Sequence, residues 1–532
     1  MKRLVALTLS LVMLLALFTG CTKTETETTT TASGEGGETT AASGEGEYAG
    51  KTMRTDIIYG TGFDIVTFDP QDANDGYSGE AFNLIYSRLM HVDEEGVPVP
   101  DLCESYEQPS DTEYIFHLHE GVKFHNGDTM TADDVVFSLE RARNNPKSAA
   151  TMEGVDVIEA VDDLTVRLTT TEPFAPLLLN LGHTQTSILN KKYVEEAEAA
   201  GKSYGTDVEP VGTGVMKYKE YAPNDHFTAV RFDDYFKGAT RTTSVTRRVI
   251  PEASSLTIAL ENGEIDYIDS LNSIDIDRIK ENPNLKTVEM VSANIAYLGF
   301  NTTKEPFDDP LVRRALQYAS NKEAIVEVLY EGYGIPCTSV FPTIGVAFND
   351  ELDMYTYDID KAKELLTKAG HADGFSFEIT VSSDIRSRAA QLLQQDFAQI
   401  GVTVDINQME FGAMLDYLSG KDHQGWIMSW GGATNPNMTL TNNFHTESGG
   451  ATGNRMWYSN PEVDRLIEEA RAEMDADKRN EMYKEVQAIL MEDSPWVPLL
   501  QQTYVAGMAA GTDGMIMYKT GSRYYHNMVV YE

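Results

Sequence analysis

Hydrophobic and polar residues alternate over Tyr114-Ile-Phe-His-Leu-His and again over Leu164-Thr-Val-Arg-Leu, with turn-forming residues on either side. A period of two bounded by turns predicts half-buried strands. Elsewhere the period lengthens. Val135, Val136, Leu139 and Ala142 recur at helical spacing behind Thr131 and Asp133, two candidate N-caps. Asp309-Pro310 announces a second helix, with Val312, Ala315, Leu316 and Ala319 on one face, and Ser320 with Glu323 forms a capping-box pattern for a third. The same logic predicts helices over 360–369, 387–399, 461–474 and 476–491. Between Phe375 and Gln408 the order is strand, helix, strand, a βαβ unit, so the predicted class is α/β.

The N-terminus breaks this alternation. Lys2 and Arg3 precede an apolar run from Leu4 to Phe18, then Thr19-Gly20-Cys21. This is the pattern of an export signal over residues 1–20, and the run falls short of the ~20 apolar residues that span a bilayer. The Cys that closes it resembles a bacterial lipobox, with Leu17 one position early and Phe18 where Leu is usual. That resemblance implies that Cys21 becomes the lipidated first residue of the mature chain. Residues 22–50 are mostly Thr, Glu, Gly, Ser and Ala. Such a stretch buries too little apolar surface to offset its ordering entropy and reads as a tether.

The remaining ~480 residues exceed the size at which one core keeps growing, so two or three domains are expected. With 83 acidic against 42 basic residues the net charge is −41, and −43 once Lys2 and Arg3 leave with the signal. Phosphate binding needs a basic face, which excludes nucleic acid as a partner class. Beyond Cys21 only Cys103 and Cys337 remain, too few for a disulfide framework, and they stand as two buried thiols or as one bridge.

Catalytic motifs are missing: there is no Gly-x-Ser-x-Gly, His-Glu-x-x-His or Gly-x-Gly-x-x-Gly. Gly201-Lys202-Ser203 is no phosphate loop, because Glu196 stands where its first Gly belongs. His117 and His119 share one side of a predicted strand, with His125 six residues on, but no Cys or carboxylate sits at ligand spacing. His423 and His445 keep a metal chelate among the minor readings. No enzyme, cofactor or resident metal is expected.

Several ordered blocks carry a resemblance. They include Thr67-Phe-Asp-Pro, Phe116-His-Leu-His-Glu-Gly-Val-Lys-Phe-His-Asn-Gly, Thr131-Ala-Asp-Asp-Val-Val-Phe-Ser-Leu-Glu-Arg, Pro210-Val-Gly-Thr-Gly, Glu261-Asn-Gly-Glu-Ile-Asp, Pro306-Phe-Asp-Asp-Pro-Leu-Val-Arg-Arg-Ala and Asn460-Pro-Glu-Val-Asp. Together they resemble the bacterial extracellular solute-binding proteins of family 5, the oligopeptide-, dipeptide- and nickel-binding components of ABC importers. The resemblance implies a periplasmic-binding-protein-like α/β fold, two lobes closing on a cleft with an additional domain. On that pattern domain I comprises 51–88, 210–297 and 498–532, domain II 89–209, and domain III 298–497.

It also implies site residues. Asn74-Asp75-Gly76-Tyr77-Ser78 corresponds to a family loop along the ligand; an ordinary surface turn is the alternative. Trp430-Gly431-Gly432-Ala433, with Asn435, corresponds to cleft-lining positions that hydrogen-bond an extended ligand's backbone, against a core Trp. Peptide binders of the family carry Asp where this chain has Ala433, so either Asp75 or another acid meets a ligand's amine, or the ligand has no free amine. Asn454 and Arg455, shortly after the Trp loop, could meet a ligand carboxylate; a solvent-exposed Arg is the alternative. The expected protein is a monomeric lipoprotein on the outer face of the cell membrane, or the periplasmic side where an outer membrane exists. It captures an oligopeptide, a dipeptide or another small solute and passes it to the ABC permease subunits. Alternatives are a nickel chelate, opine or oligosaccharide cargo, and, further off, an exported hydrolase or a ligand sensor.

Overall fold

The computed structural model describes Tyr48 and residues 50–532, apart from 74, 346, 353–354, 432–434, 451–452 and 519–522. Cys21, Asn74, Gly432 and Ala433 therefore lie outside the described residues. No helix among the described residues is long and apolar enough to cross a membrane.

The backbone of the fold is an eleven-stranded mixed sheet. Its path runs Thr403–Gln408, Ser376–Val381, Gly425–Trp430, Leu285–Phe300, Trp496–Ala509, Tyr267–Ile268, Asp56–Thr61, Ser244–Val249, His226–Arg231, Met216–Ala222, with Gly334–Pro336 added on Trp496–Ala509. Two of these strands are unusually long and antiparallel to each other. Leu285–Phe300 and Trp496–Ala509 pair from Leu285↔Ala509 to Val291↔Thr503, then again from Ile295↔Gln501 to Gly299↔Trp496. Between the two stretches the register slips, three residues on one strand facing one on the other, which breaks the ladder around Ser292–Asn294.

Apolar side chains segregate accordingly. One core gathers Leu298, Phe300, Leu316, Ile379, Leu393 and Val497, and a neighbouring one Tyr297, Trp426, Met428 and Trp496. At the other end of the long strands Ala506 and Met508 join Ile57, Phe82, Tyr267 and Tyr525. A separate four-stranded antiparallel sheet, Cys103–Ser110, Glu113–Leu118, Thr165–Thr170 and Val155–Asp162, buries Phe116, Val135, Leu139 and Val166 under helix Ala132–Asn144. The architecture is thus the expected two-lobe, periplasmic-binding-protein-like α/β class.

Local signals read from the sequence recur with small shifts. Thr131 caps helix Ala132–Asn144 through a capping box closed by Asp134, whose carboxylate accepts from the Thr131 amide at 2.9 Å. Asp309 caps Pro310–Tyr318 by accepting from Leu311 N at 2.8 Å. The next helix, Lys322–Tyr330, is capped by Asn321 rather than Ser320; the Ser320 hydroxyl instead donates back to the Leu316 carbonyl at 2.7 Å, extending the preceding turn. The βαβ unit is present, Ser376–Val381 lying parallel to Thr403–Gln408, but its helix begins at Asp384, three residues before the expected start. Cys103 and Cys337 are buried and unpaired, and burial pushes their thiols up to about 11 and about 12.

Candidate functional site

Asp75 is the N-cap of helix Gly76–Ile85, one carboxylate oxygen accepting from the Ser78 amide at 2.8 Å. Ser78 is fully buried, and its hydroxyl accepts from Val66 N at 3.0 Å. These two residues therefore build the loop. Tyr77 is different: it is 40% exposed and stacks on exposed Phe63 with ring centroids 4.1 Å apart. Burial of its remaining surface, then the nearby Tyr504 phenol, raise its hydroxyl's pKa. Gly76 faces open space. Beneath the loop, fully buried Arg247 donates to the Tyr77 carbonyl at 3.1 Å and to the Phe63 carbonyl at 2.9 Å, fixing the aromatic pair from below.

The second loop follows strand Gly425–Trp430. Trp430 is half-buried against the core that holds Tyr297 and Trp426, and its indole N–H is buried without a partner. Both earlier readings of this residue, core and cleft wall, are compatible with that position. Gly431 packs on the broken register of the long strands: a Cβ there would collide with the Asn294 side-chain oxygen. Asn294 in turn donates to the Tyr504 hydroxyl at 3.2 Å. Asn294 and Tyr504 thus meet where the end of the Trp430 strand comes against the broken register of the long strands.

That place is a cavity of about 430 Å³, whose lining includes Asn294, Tyr330, Arg386, Ser429, Gln502 and Tyr504. Strands Ser376–Val381 and Gly425–Trp430 are parallel, so their carboxyl ends deliver Ser383, Arg386 and Ser429 to the same rim. Crevices outside the carboxyl ends of parallel strands are the usual ligand sites of open α/β sheets. Arg386, Tyr330, Asn294, Gln502 and Tyr504 are absent from the sequence-derived set. Ser383-Asp384 was the overlooked signal, an N-cap followed by an acidic first turn, which brings Arg386 into the helix's first turn at this edge.

Three other expected residues sit elsewhere. Asn435 caps helix Pro436–Phe444 and donates to the Asn180 side chain at 3.0 Å, on the wall of a second cavity of about 290 Å³. Asn454 is fully buried and spends its amide on the His445 and Tyr458 carbonyls at 3.0 and 2.8 Å, so it offers nothing to a ligand. Arg455 is buried too, its carbonyl bonded to His423 Nε2 at 2.8 Å. The histidines disperse: His117 meets Glu107, His125 the Gly214 carbonyl and His445 Glu468. Among the described residues no group of three or more His, Cys, Asp or Glu is placed to hold a metal ion.

The family model for bacterial extracellular solute-binding proteins, family 5, matches residues 97–452, well over half of the chain. The chain belongs to this family. Its members are extracytoplasmic substrate-binding components of ABC transporters, not enzymes. The dipeptide-binding protein of Escherichia coli K12 is 31% identical over 496 residues, covering 87% of this chain and 92% of the relative. Heme-binding protein A of Haemophilus influenzae is 30% identical over 503 residues, covering 89% and 92%. Among solved structures, a periplasmic binding protein of Helicobacter pylori in complex with the peptide STSA superposes with a TM-score of 0.78 at 29% identity, covering 90% of this chain and 99% of that one. Members this similar bind chemically different cargo, so family membership leaves the ligand to the cavity.

Proposed function

We propose that the protein captures a small peptide-like solute in the cavity between the Trp430 strand end, Asn294 and Tyr504, and delivers it to ABC permease subunits from a lipid anchor at Cys21. The observation that carries this reading is the convergence of two parallel strand ends on one cavity, where the amides of Asn294 and Gln502 and the hydroxyls of Ser383, Ser429 and Tyr504 stand among apolar side chains. Such groups pair with a ligand's peptide bonds while ignoring its side chains. Trp430 supplies contact area at the rim. Mass spectrometry of the cargo carried by protein purified from its producing host tests the reading: wild type should carry a peptide-like solute, and Trp430→Ala should carry several-fold less. Equal occupancy in a folded Trp430→Ala variant would put the site elsewhere. Cys21→Ser should leave the membrane fraction for the soluble exported fraction, whereas wild-type and Cys21→Ser protein sedimenting alike would argue against the anchor.

A further inference from the structure

Arginines in this acidic chain generally have acidic partners. Arg54 pairs with Asp266, Arg141 with Asp69 at 2.6 Å, Arg523 with Asp269 at 3.3 Å and Arg471 with Glu153 at 3.2 Å. Arg386 does not. It is half-buried on the wall of the larger cavity, its guanidinium donates to the Ser382 hydroxyl at 3.0 Å, and among the described residues no carboxylate lies within ion-pair distance. Burial lowers its pKa, and the ionisable groups that act on it are the phenols of Tyr330 and Tyr297, not an acid. Asp384, two residues away, turns outward and accepts from Gln408 Nε2 at 3.1 Å.

The surroundings repeat the pattern. None of the fifteen residues lining the cavity is Asp or Glu, in a chain that has 83 of them. Asp75 commits a carboxylate oxygen to its helix cap. Among the described residues the cavity thus holds one cation without a counter-charge and, for an amine, no counter-charge. Leaving a guanidinium half-desolvated is costly unless an anion arrives to meet it. A carboxylate matches its planar fork bidentately. A free ammonium would be desolvated against hydroxyls and amides alone.

We infer that the cargo is a carboxylate without a free amine, an N-acylated amino acid or peptide being the simplest form, and that Arg386 receives its carboxylate. This rests on the peptide-like reading above. Calorimetry on the full mature chain, dialysed free of cargo, with three probes tests it: N-acetyl-alanyl-alanine, alanyl-alanine and alanyl-alanine amide. The acetylated acid should bind at least about ten-fold tighter than the amide, with alanyl-alanine between. Arg386→Gln should weaken the acetylated acid by about ten- to a hundred-fold without lowering the melting temperature, since a charge-assisted pair is lost. Arg386→Lys, a point charge without the fork, should fall between the two. Equal binding of acid and amide, or unchanged affinity in Arg386→Gln, overturns the inference and leaves the peptide-like reading standing. Silence with all three probes overturns that reading, and this inference with it.

Discussion

Lys322 is 1% exposed, and its ammonium donates to the Cys337 carbonyl at 3.0 Å with no carboxylate in ion-pair range among the described residues. Burial pulls its pKa down from 10.5 to about 8. The folded state therefore holds its proton less tightly than the unfolded chain does. Below pH 8 the buried charge costs stability in full, roughly 3 kcal/mol; between pH 8 and 10.5 the cost fades, because only the unfolded chain still binds the proton. Lys322→Met should raise the urea midpoint at pH 7, by the equivalent of about 1–2 kcal/mol once the orphaned Cys337 carbonyl is counted. The gain should vanish by about pH 10.5. A gain that is the same at both pH values would show that the charge is not its source. No local pattern marks this lysine, since one Lys at a helix start reads as surface.

At the level of elements, polar residues that look like ligand contacts and polar residues that cap helices belong to one chemical set, Asn, Asp, Ser and Thr. Asp75 and Asn435 were singled out as ligand contacts and both serve as N-caps; Ser320 was expected as a cap and Asn321 takes the place. Periodicity resolved the helices and strands well because burial repeats at a fixed interval, whereas a cap depends on a single side chain's rotamer. For the same reason the 384–398 helix was expected three residues late and Arg386 was left out of the site. Asp75 separates the two roles experimentally. Asp75→Asn keeps the oxygen that accepts from Ser78 but removes the charge, whereas Asp75→Ala removes both and should cost about 1 kcal/mol of stability. Cargo occupancy in Asp75→Asn should equal wild type. A marked loss there would instead make Asp75 the anchor for a ligand amine.

On the scale of the whole molecule, fold and family were legible because ordered sequence blocks reflect long stretches of core, while the cavity was not. It is assembled by the register slip at Ser292–Asn294, by Tyr504 some two hundred residues later and by the end of a third strand, a juxtaposition no local pattern records. Net charge is the global property that bears on how this cavity is reached. A mature chain of net charge −43 surrounds itself with a negative potential that reaches about 30 Å into 0.01 M salt but only about 8 Å into 0.15 M. An anionic cargo must cross that field before it meets Arg386, whereas the pair it then forms sits inside the cavity, where added salt screens it far less. The association rate of N-acetyl-alanyl-alanine should therefore rise several-fold between 10 and 150 mM salt, with the dissociation rate nearly constant. Stopped-flow measurement separates the two rates. An association rate that falls with salt would mean that the local positive field of Arg386, and not the charge of the whole surface, governs the approach of this anion.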